Sequence, residues 1–429
     1  MNILIISPVF PYPLDEGAKE RIFQVIKGLS RQNTIHLITF YRNQNELQYL
    51  SELNKYCIRV DTVHNPRWSM LKTVLFNLFY FFSPMPTLIA MHQSREMKRR
   101  IEYALTNNHY DIIQIELTQM ASYLQQSRGT LQRAPTTVLV EHDVTFISRY
   151  RRLAHAPNPL IKLHWSIQYL KLKHFEITYC KKFDLIITVS EQSKTELQKY
   201  CPTSKISVIR TGVDVPSQSP LERGDLGVCS LLKEGKGACE LPSKKRGKGV
   251  CFIGSFLHRP NQDAVIYFYQ SIFPLIKQSK NDAEFLIVGK GPEILPKAIR
   301  EDKSVRLFGF VNDIKPLLED AISIVPIRYG SGIRTKILTY MSYGSPVIST
   351  SLGAEGLEVT HGENIIIADE PQEFATAIVN LMKDEELRKR IATGGYNLAK
   401  EKYQWDKSIH ELQNEYIGVL KNKHHENIT

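Results

Sequence analysis

The sequence predicts an α/β protein built as two doubly wound domains in tandem, facing each other across a cleft. Three observations predict it. At 429 residues the chain exceeds what one ordinary core holds. Short β-rich apolar runs bounded by turns alternate with longer amphipathic stretches, as parallel strands covered on both faces by helices do. That alternation stops once, over residues 216–249, and then restarts.

The opening run, residues 2–8, is apolar at once and broken by Pro8, Pro11 and Pro13. It lacks the basic start and small-residue cleavage site of a signal peptide, so it is expected to be a buried first strand. Further strands are expected at residues 35–40, 112–115, 137–140, 185–189 and 206–209, with helices over 19–29 and 91–105 among them. Residues 216–249 are rich in Gly, Pro, Ser and charge and end in Lys244-Lys245-Arg246-Gly247-Lys248. They read as an interdomain linker enlarged by a surface insertion, its basic cluster a solvated loop. Strands then resume at 250–253, 284–288, 305–308, 321–326, 346–349 and 365–368. The expected organisation is a first domain over 1–215, the linker 216–249, a second domain over 250–404, and a last amphipathic stretch, 405–429, packing back on the first domain. Ligands of such sheets bind at the carboxyl ends of the strands. That places the site in the cleft and turns Glu116, at a strand end, toward an acceptor.

Composition narrows the function. Hydrophobic residues at 42% and charged residues at 23% describe an ordinary globular protein. The net charge of +11 attracts anions but carries no fold information. No basic-aromatic motif or recognition helix accompanies it, which argues against nucleic acid. Cysteines 57, 180, 201, 229, 239 and 251 form no C-x-x-C pair. Free thiols in a reducing, cytoplasmic setting are expected, and neither a disulfide framework nor a zinc site. The acceptor pattern Asn427-Ile428-Thr429 carries little weight without a secretory signal.

The longest greasy run, residues 73–82, is half of the roughly twenty residues that a spanning helix needs. It reads either as core helix or as part of a peripheral contact with the anionic inner face of a membrane. On the second reading Trp68, Lys72, Phe76, Phe79 and Phe82 act beside Arg95, Lys98, Arg99 and Arg100.

Two stretches carry phosphate-binding chemistry. A strand ends at Gly254, whose missing side chain admits a ligand, and Arg259 follows in the turn; a plain strand-to-helix turn is the bland alternative. Gly289-Lys290-Gly291 ends another strand without the G-x-G-x-x-G spacing of a dinucleotide site. The richer stretch runs from Pro326 to Val347: a strand end, then Gly330-Ser331-Gly332, then a helix expected to begin near Ile333. Open amides at a helix start form an anion site. Arg334 and Lys336 in that first turn oppose the helix dipole, a placement that an anionic ligand would offset. His155, His164 and His174 read as surface or interface residues, not metal ligands, and Trp165 and Trp405 as packing.

The ordered set of pieces resembles the retaining glycosyltransferases of the group 1, family 4 type. The pieces are Gly17 after a Pro-rich turn, Val140-Glu141-His142-Asp143, Ile187-Thr188-Val189-Ser190, Arg210-Thr211-Gly212-Val213-Asp214, Gly254-Ser255, Pro260-Asn261-Gln262-Asp263, Gly309-Phe310-Val311-Asn312-Asp313, the Gly330 to Val347 block, and Gly353-Ala354-Glu355-Gly356. They span nearly the whole chain outside the linker. The resemblance implies two Rossmann-like domains in the GT-B arrangement and transfer of a sugar, with retention, from a nucleotide diphosphate sugar to a hydroxyl of a glycan or lipid-linked saccharide. No metal or other cofactor is expected.

By the same resemblance His142 lies near the reacting sugar. Gly17 faces the donor phosphates and the acceptor, Gly309 and Val311 line the nucleobase pocket, and Gly254, Gly330, Ser331, Gly332, Arg334, Lys336 and Glu355 belong to the donor side. Two departures stand out. Positions where many relatives carry two glutamates are Ser331 and Thr339, and Thr339 offers the ribose no carboxylate. The usual basic pair after the second domain's first strand is replaced by Ser255 and Pro260, which leaves Arg259 as an offset cation. The alternative that these departures raise is a non-catalytic subunit that binds a nucleotide sugar or a partner.

Overall fold

The computed structural model of the chain describes residues 1–65, 70–127, 135–154, 156, 158–216, 249–311, 313–319, 321–330 and 332–426. Trp68, His155, Cys229, Cys239, Ser331, the basic cluster at 244–248 and the acceptor pattern at 427–429 lie outside the described residues. The chain divides into two compact units, Met1–Thr211 with Ser331–Ile333 and Trp405–Thr429, and Gly212–Gly330 with Arg334–Gln404.

In the first unit the strands are β1 (Asn2–Ser7), β2 (Thr34–Tyr41), β3 (Arg59–His64), β4 (Ile112–Glu116), β5 (Thr136–Glu141), β6 (Leu185–Thr188) and β7 (Ile206–Val208). They form one parallel sheet in the order β3-β2-β1-β4-β5-β6-β7. Every residue of β4 and β5 is buried, the polar Gln114, Glu116 and Glu141 among them, as in a sheet covered on both faces. β3 is the strand that the hydrophobic pattern does not reveal. It is an edge strand whose Arg59 and Asp61 alternate with valines, and Asp61 is held by His36 of β2 at 2.9 Å.

The terminal helix Trp405–Glu426 belongs to this unit and lies against the helix Gly17–Leu29. Ile409, Leu412, Tyr416 and Val419 share one core with Ile22, Val25, Ile26 and Leu29. Close approach is possible at Gly28, where a Cβ would lie 2.4 Å from Ile409 Cγ1. Farther along, Lys423 Nζ donates to Pro135 O and Asp184 Oδ2, each at 3.0 Å.

The greasy run forms the helix Met70–Phe82, and it is not core. Val74, Leu75, Leu78, Phe79 and Phe82 are exposed, Phe79 at 72% and Phe82 at 87%. The helix docks on Pro159–Cys180, where Lys171 Nζ takes the carbonyls of Tyr80 and Phe81 at 3.0 and 2.6 Å and Phe81 stacks on His164. Among the described residues no helix is long and apolar enough to cross a membrane, and no cluster of side chains is placed to hold a metal ion.

The second unit repeats the plan with β8 (Gly249–Ile253), β9 (Glu284–Val288), β10 (Val305–Phe308), β11 (Ala321–Val325), β12 (Val347–Ser349) and β13 (Ile366–Ile367). The order is β10-β9-β8-β11-β12-β13, again parallel throughout. In both units the chain turns back past the first strand to reach its fourth. The topological switch points therefore lie at β1/β4 and β8/β11, where the carboxyl ends of α/β sheets leave room for a ligand. Cys57, Cys180, Cys201 and Cys251 are buried free thiols.

Candidate functional site

At the first switch point β4 delivers Gln114 and Glu116, and the next residue, Leu117, turns the chain at a φ of 65°. β5 ends at Glu141, and His142 follows. Glu116 is buried, and its Oε2 accepts from His142 Nε2 at 2.8 Å. Its Oε1 takes a hydrogen bond from the Gln114 side-chain amide, whose own oxygen accepts from Tyr416 Oη at 2.5 Å.

Arg21, buried on the helix Gly17–Leu29, donates to Thr211 Oγ1 and Ile209 O, both at 3.0 Å. Burial lowers it to about 10, the Glu116 carboxylate opposing that shift, so it remains charged at neutral pH. Sequence reasoning turned Glu116 toward an acceptor. With both oxygens engaged and 1% of the residue exposed, it stands behind His142 instead, whose side chain keeps 13% of its surface open.

A second acid lies beside this group. Glu141 accepts from the Thr118 hydroxyl through one oxygen; the other is buried without a hydrogen-bond partner. Burial raises it to about 8, with Asp143 and Glu116 adding to the shift. Glu176 receives the Thr145 and Phe146 amides at 3.0 and 3.1 Å, yet burial and the neighbouring Glu141 hold it well above the usual carboxyl range. Gly17 is exposed at the first position of its helix.

In the second unit the strand ends of β8 and β9 converge. Gly289, at a φ of +138°, sits so close to Gly254 that a Cβ there would lie 2.0 Å from the Gly254 carbonyl oxygen. A Cβ on Gly254 would in turn meet Lys336 Nζ and Asn261 Nδ2, each at 2.8 Å. The missing side chain therefore admits an ammonium group. Lys336 Nζ donates to Asn261 Oδ1 at 2.9 Å, Asn261 Nδ2 donates to Ser255 O at 2.9 Å, and the ammonium lies 4.0 Å from the centre of the Phe252 ring. Burial, with the Arg334 guanidinium nearby, lowers Lys336 to about 7. A cation held under that cost, at a strand end and in the first turn of the helix Thr335–Ser342, is poised for an anion.

The helix starts two residues later than the sequence pattern indicates, because Arg334 keeps a non-helical backbone. Gly330 and Gly332 take φ of +117° and +78°. Thr339 turns its hydroxyl back to the Thr335 carbonyl at 3.2 Å. Arg259 is the exposed first residue of its helix, Arg259–Tyr267. Gly309 is exposed and accepts from Gly289 N at 3.1 Å; Val311 packs half-buried on the unit's core, and Glu355 is half-buried. Gln114, Arg21, Tyr416 and Asn261 join these sites through tertiary contacts that the sequence does not display. Only Asn261, in its Pro-Asn turn, carried a local signal.

Two parallel sheets of Rossmann order, each with polar groups at its switch point, define the GT-B class of fold. Comparison with known proteins agrees. The pattern of the family Glycosyltransferase Family 4 matches residues 16–216, and that of Glycosyl transferases group 1 matches residues 247–384. A 44.6 kDa protein in the cps region of Klebsiella pneumoniae is 24% identical over 419 residues, covering 94% of this chain and 96% of its own length. Among solved structures, sucrose-phosphate synthase from Thermosynechococcus elongatus superposes with a TM-score of 0.66 at 15% identity, covering 98% of this chain and 100% of that one. The Anabaena protein HepE in complex with UDP gives 0.64 at 16%, covering 97% and 100%. The chain belongs to the glycosyltransferases of the group 1 and family 4 type, and it is an enzyme of the glycosyl-transferring class.

Proposed function

We propose that the protein transfers a sugar from a nucleotide diphosphate sugar to a hydroxyl of a glycan or lipid-linked saccharide, with retention and without a required metal. The observation that carries the reading is Lys336: a desolvated ammonium packed over a glycine at a strand end, in the first turn of a helix. Such a group is costly to keep unless an anion meets it, and the diphosphate that departs in this chemistry is that anion. The UDP held by HepE supports the ligand class.

His142, fixed by Glu116 and partly open, is the group proposed to orient the reacting sugar or the acceptor hydroxyl. Gly17, Gly254, Arg259, Gly309, Val311, Gly330, Ser331, Gly332, Arg334, Thr339 and Glu355 remain the proposed donor-side residues. Thr339, bonded to its own helix, gives the ribose a weaker contact than a carboxylate. The test is a melting-point screen of nucleoside diphosphates and their sugars, followed by transfer in the presence of a chelator and NMR of the product's anomeric centre. A stabilising nucleotide and a retained anomer are expected. An inverted product, or transfer abolished by the chelator, would overturn the corresponding part.

The same reading places a cytoplasmic enzyme peripherally on an anionic membrane, where a lipid-linked acceptor resides. Support comes from Leu75, Leu78, Phe79 and Phe82 exposed on one helix, with Leu160 and Leu163 exposed on the helix it docks against. Of the bases expected to assist, Arg100 is paired with Glu96 and Asp61 and Lys98 with Glu102, so the apolar face is the stronger half of the contact. Co-sedimentation with vesicles rich in anionic lipid should drop sharply in the double variant Phe79→Ser, Phe82→Ser. Equal binding by parent and variant would dismiss this surface.

A further inference from the structure

We infer that Tyr416, on the terminal helix, positions the His142 ring through an unbroken line of buried hydrogen bonds across Gln114 and Glu116. The inference rests on the reading of His142 as the group at the reacting sugar, and it adds Tyr416 and Gln114 as positioning residues for that group.

The direction of every bond in the line follows from chemistry. An ionised carboxylate accepts and never donates. Gln114 must therefore turn its NH2 toward Glu116, which leaves its carbonyl oxygen facing Tyr416, and the phenol is the donor that meets it. On the far side Glu116 Oε2 can only accept from His142 Nε2 at 2.8 Å. In its neutral form the imidazole then carries its proton on Nε2, with the lone pair on Nδ1.

The line is dry. Gln114 and Tyr416 are fully buried and Glu116 is 1% exposed, so no solvent stands ready to replace a lost partner. Arg21 lies close enough for its charge to act on both Glu116 and Tyr416, two members of the line. Remove the phenol oxygen, and the Gln114 carbonyl loses its donor. The amide, still donating to Glu116 but no longer anchored at its other end, is free to shift, and Glu116 and His142 shift out of register with it. The terminal helix holds the phenol in place through the Gly28–Ile409 contact and the Lys423 bonds to Pro135 and Asp184. A residue 302 positions away from Gln114 is in this way coupled to the histidine.

The experiment is a mutant cycle on the intact chain with its nucleotide sugar. Tyr416→Phe keeps the ring packing, and Gln114→Met keeps side-chain length. Each should lower kcat about tenfold or more with the donor KM unchanged, the pattern of a lost orientation rather than lost binding. The double variant should lose no more than either single one, because both cut the same line. Melting points separate misfolding from misplacement.

Losses that multiply, or an unaltered kcat in Tyr416→Phe while His142→Ala is inactive, would overturn the inference. Full activity in His142→Ala would overturn the reading of His142 instead. The nitrogen resonances of its ring then decide the positioning question alone. The parent should show the Nε2-protonated tautomer, and Tyr416→Phe a mixture of both. An identical spectrum in the two proteins would end the proposal.

Discussion

Lys336 is expensive to bury, and the expense has a measurable sign. Its ammonium sits at the strand end of β8 with Arg334 nearby, so the fold lowers it to about 7 and leaves it partly neutral at physiological pH. A diphosphate beside it favours the charged form. Binding should therefore take up a fraction of a proton between pH 7 and 8, and affinity should fall as pH rises above about 7. Calorimetric titrations in two buffers of different ionisation enthalpy read the uptake directly. Lys336→Met should abolish it and weaken binding roughly ten- to a hundredfold, as loss of a charge-assisted contact does. No uptake in the parent at pH 8 would put the phosphates elsewhere. At this scale Lys336 and His142 were visible in the sequence because each sits in a local motif at a strand or helix end. Glu116 is legible as a strand-end carboxylate, but its burial behind His142 is not. Its partners His142 and Arg21 are 26 and 95 positions away, and a burial that depends on tertiary packing leaves no local pattern.

Elements were easier to read than residues, and the exceptions have physical causes. Twelve of the strands repeat the apolar runs because sheets buried on both faces favour hydrophobic segments, whereas β3, on an edge with Arg59 and Asp61, does not. The helix Met70–Phe82 is as apolar as a core helix but exposed; composition cannot tell the two apart. The terminal helix was expected to pack on the first domain, and its mode of docking rests on a single absent side chain. Alanine at Gly28 would gain about 1 kcal/mol of helix propensity. Its Cβ, however, would lie 2.4 Å from Ile409 Cγ1 and 2.9 Å from both Cδ1 and Cγ2, a clash with a stiff β-branched chain. Overpacking of this kind costs about 1–3 kcal/mol. Gly28→Ala should thus be modestly destabilising in denaturant titration and Gly28→Val clearly so, with Ile409→Ala relieving most of the loss. A stabilised Gly28→Val would show that the helix rides more loosely on its neighbour.

For the molecule as a whole, the tandem repeat of one sheet order gives two units whose stabilities should answer to pH in opposite directions. In the first, Glu141 is raised to about 8 by burial, and Glu176 is also held high, in part by Glu141. Asp143 and Glu116 add to the rise and the Cys180 thiol lies within reach of both acids, while the Thr118 hydroxyl and backbone and the Thr145 and Phe146 amides favour ionisation. A carboxyl whose folded value exceeds its unfolded one holds a proton that the unfolded chain has released. Stability is then complete below the unfolded value and declines as pH rises through the window toward 8, by about 1.4 kcal/mol for each unit of difference. In the second unit Lys336 works the other way. Its folded value of about 7 lies below the unfolded 10.5, so the penalty of the buried charge is full below 7 and fades as pH climbs. Scanning calorimetry from pH 5 to 10 should show one transition moving down as pH approaches 8 and another moving up beyond 7. Glu141→Gln should flatten the first, and Lys336→Met the second. A nucleoside diphosphate should raise chiefly the second, since a ligand most stabilises the unit that supplies most of its contacts. If both transitions moved in parallel and neither substitution changed its slope, these groups would not be the ones that set the stability of their units.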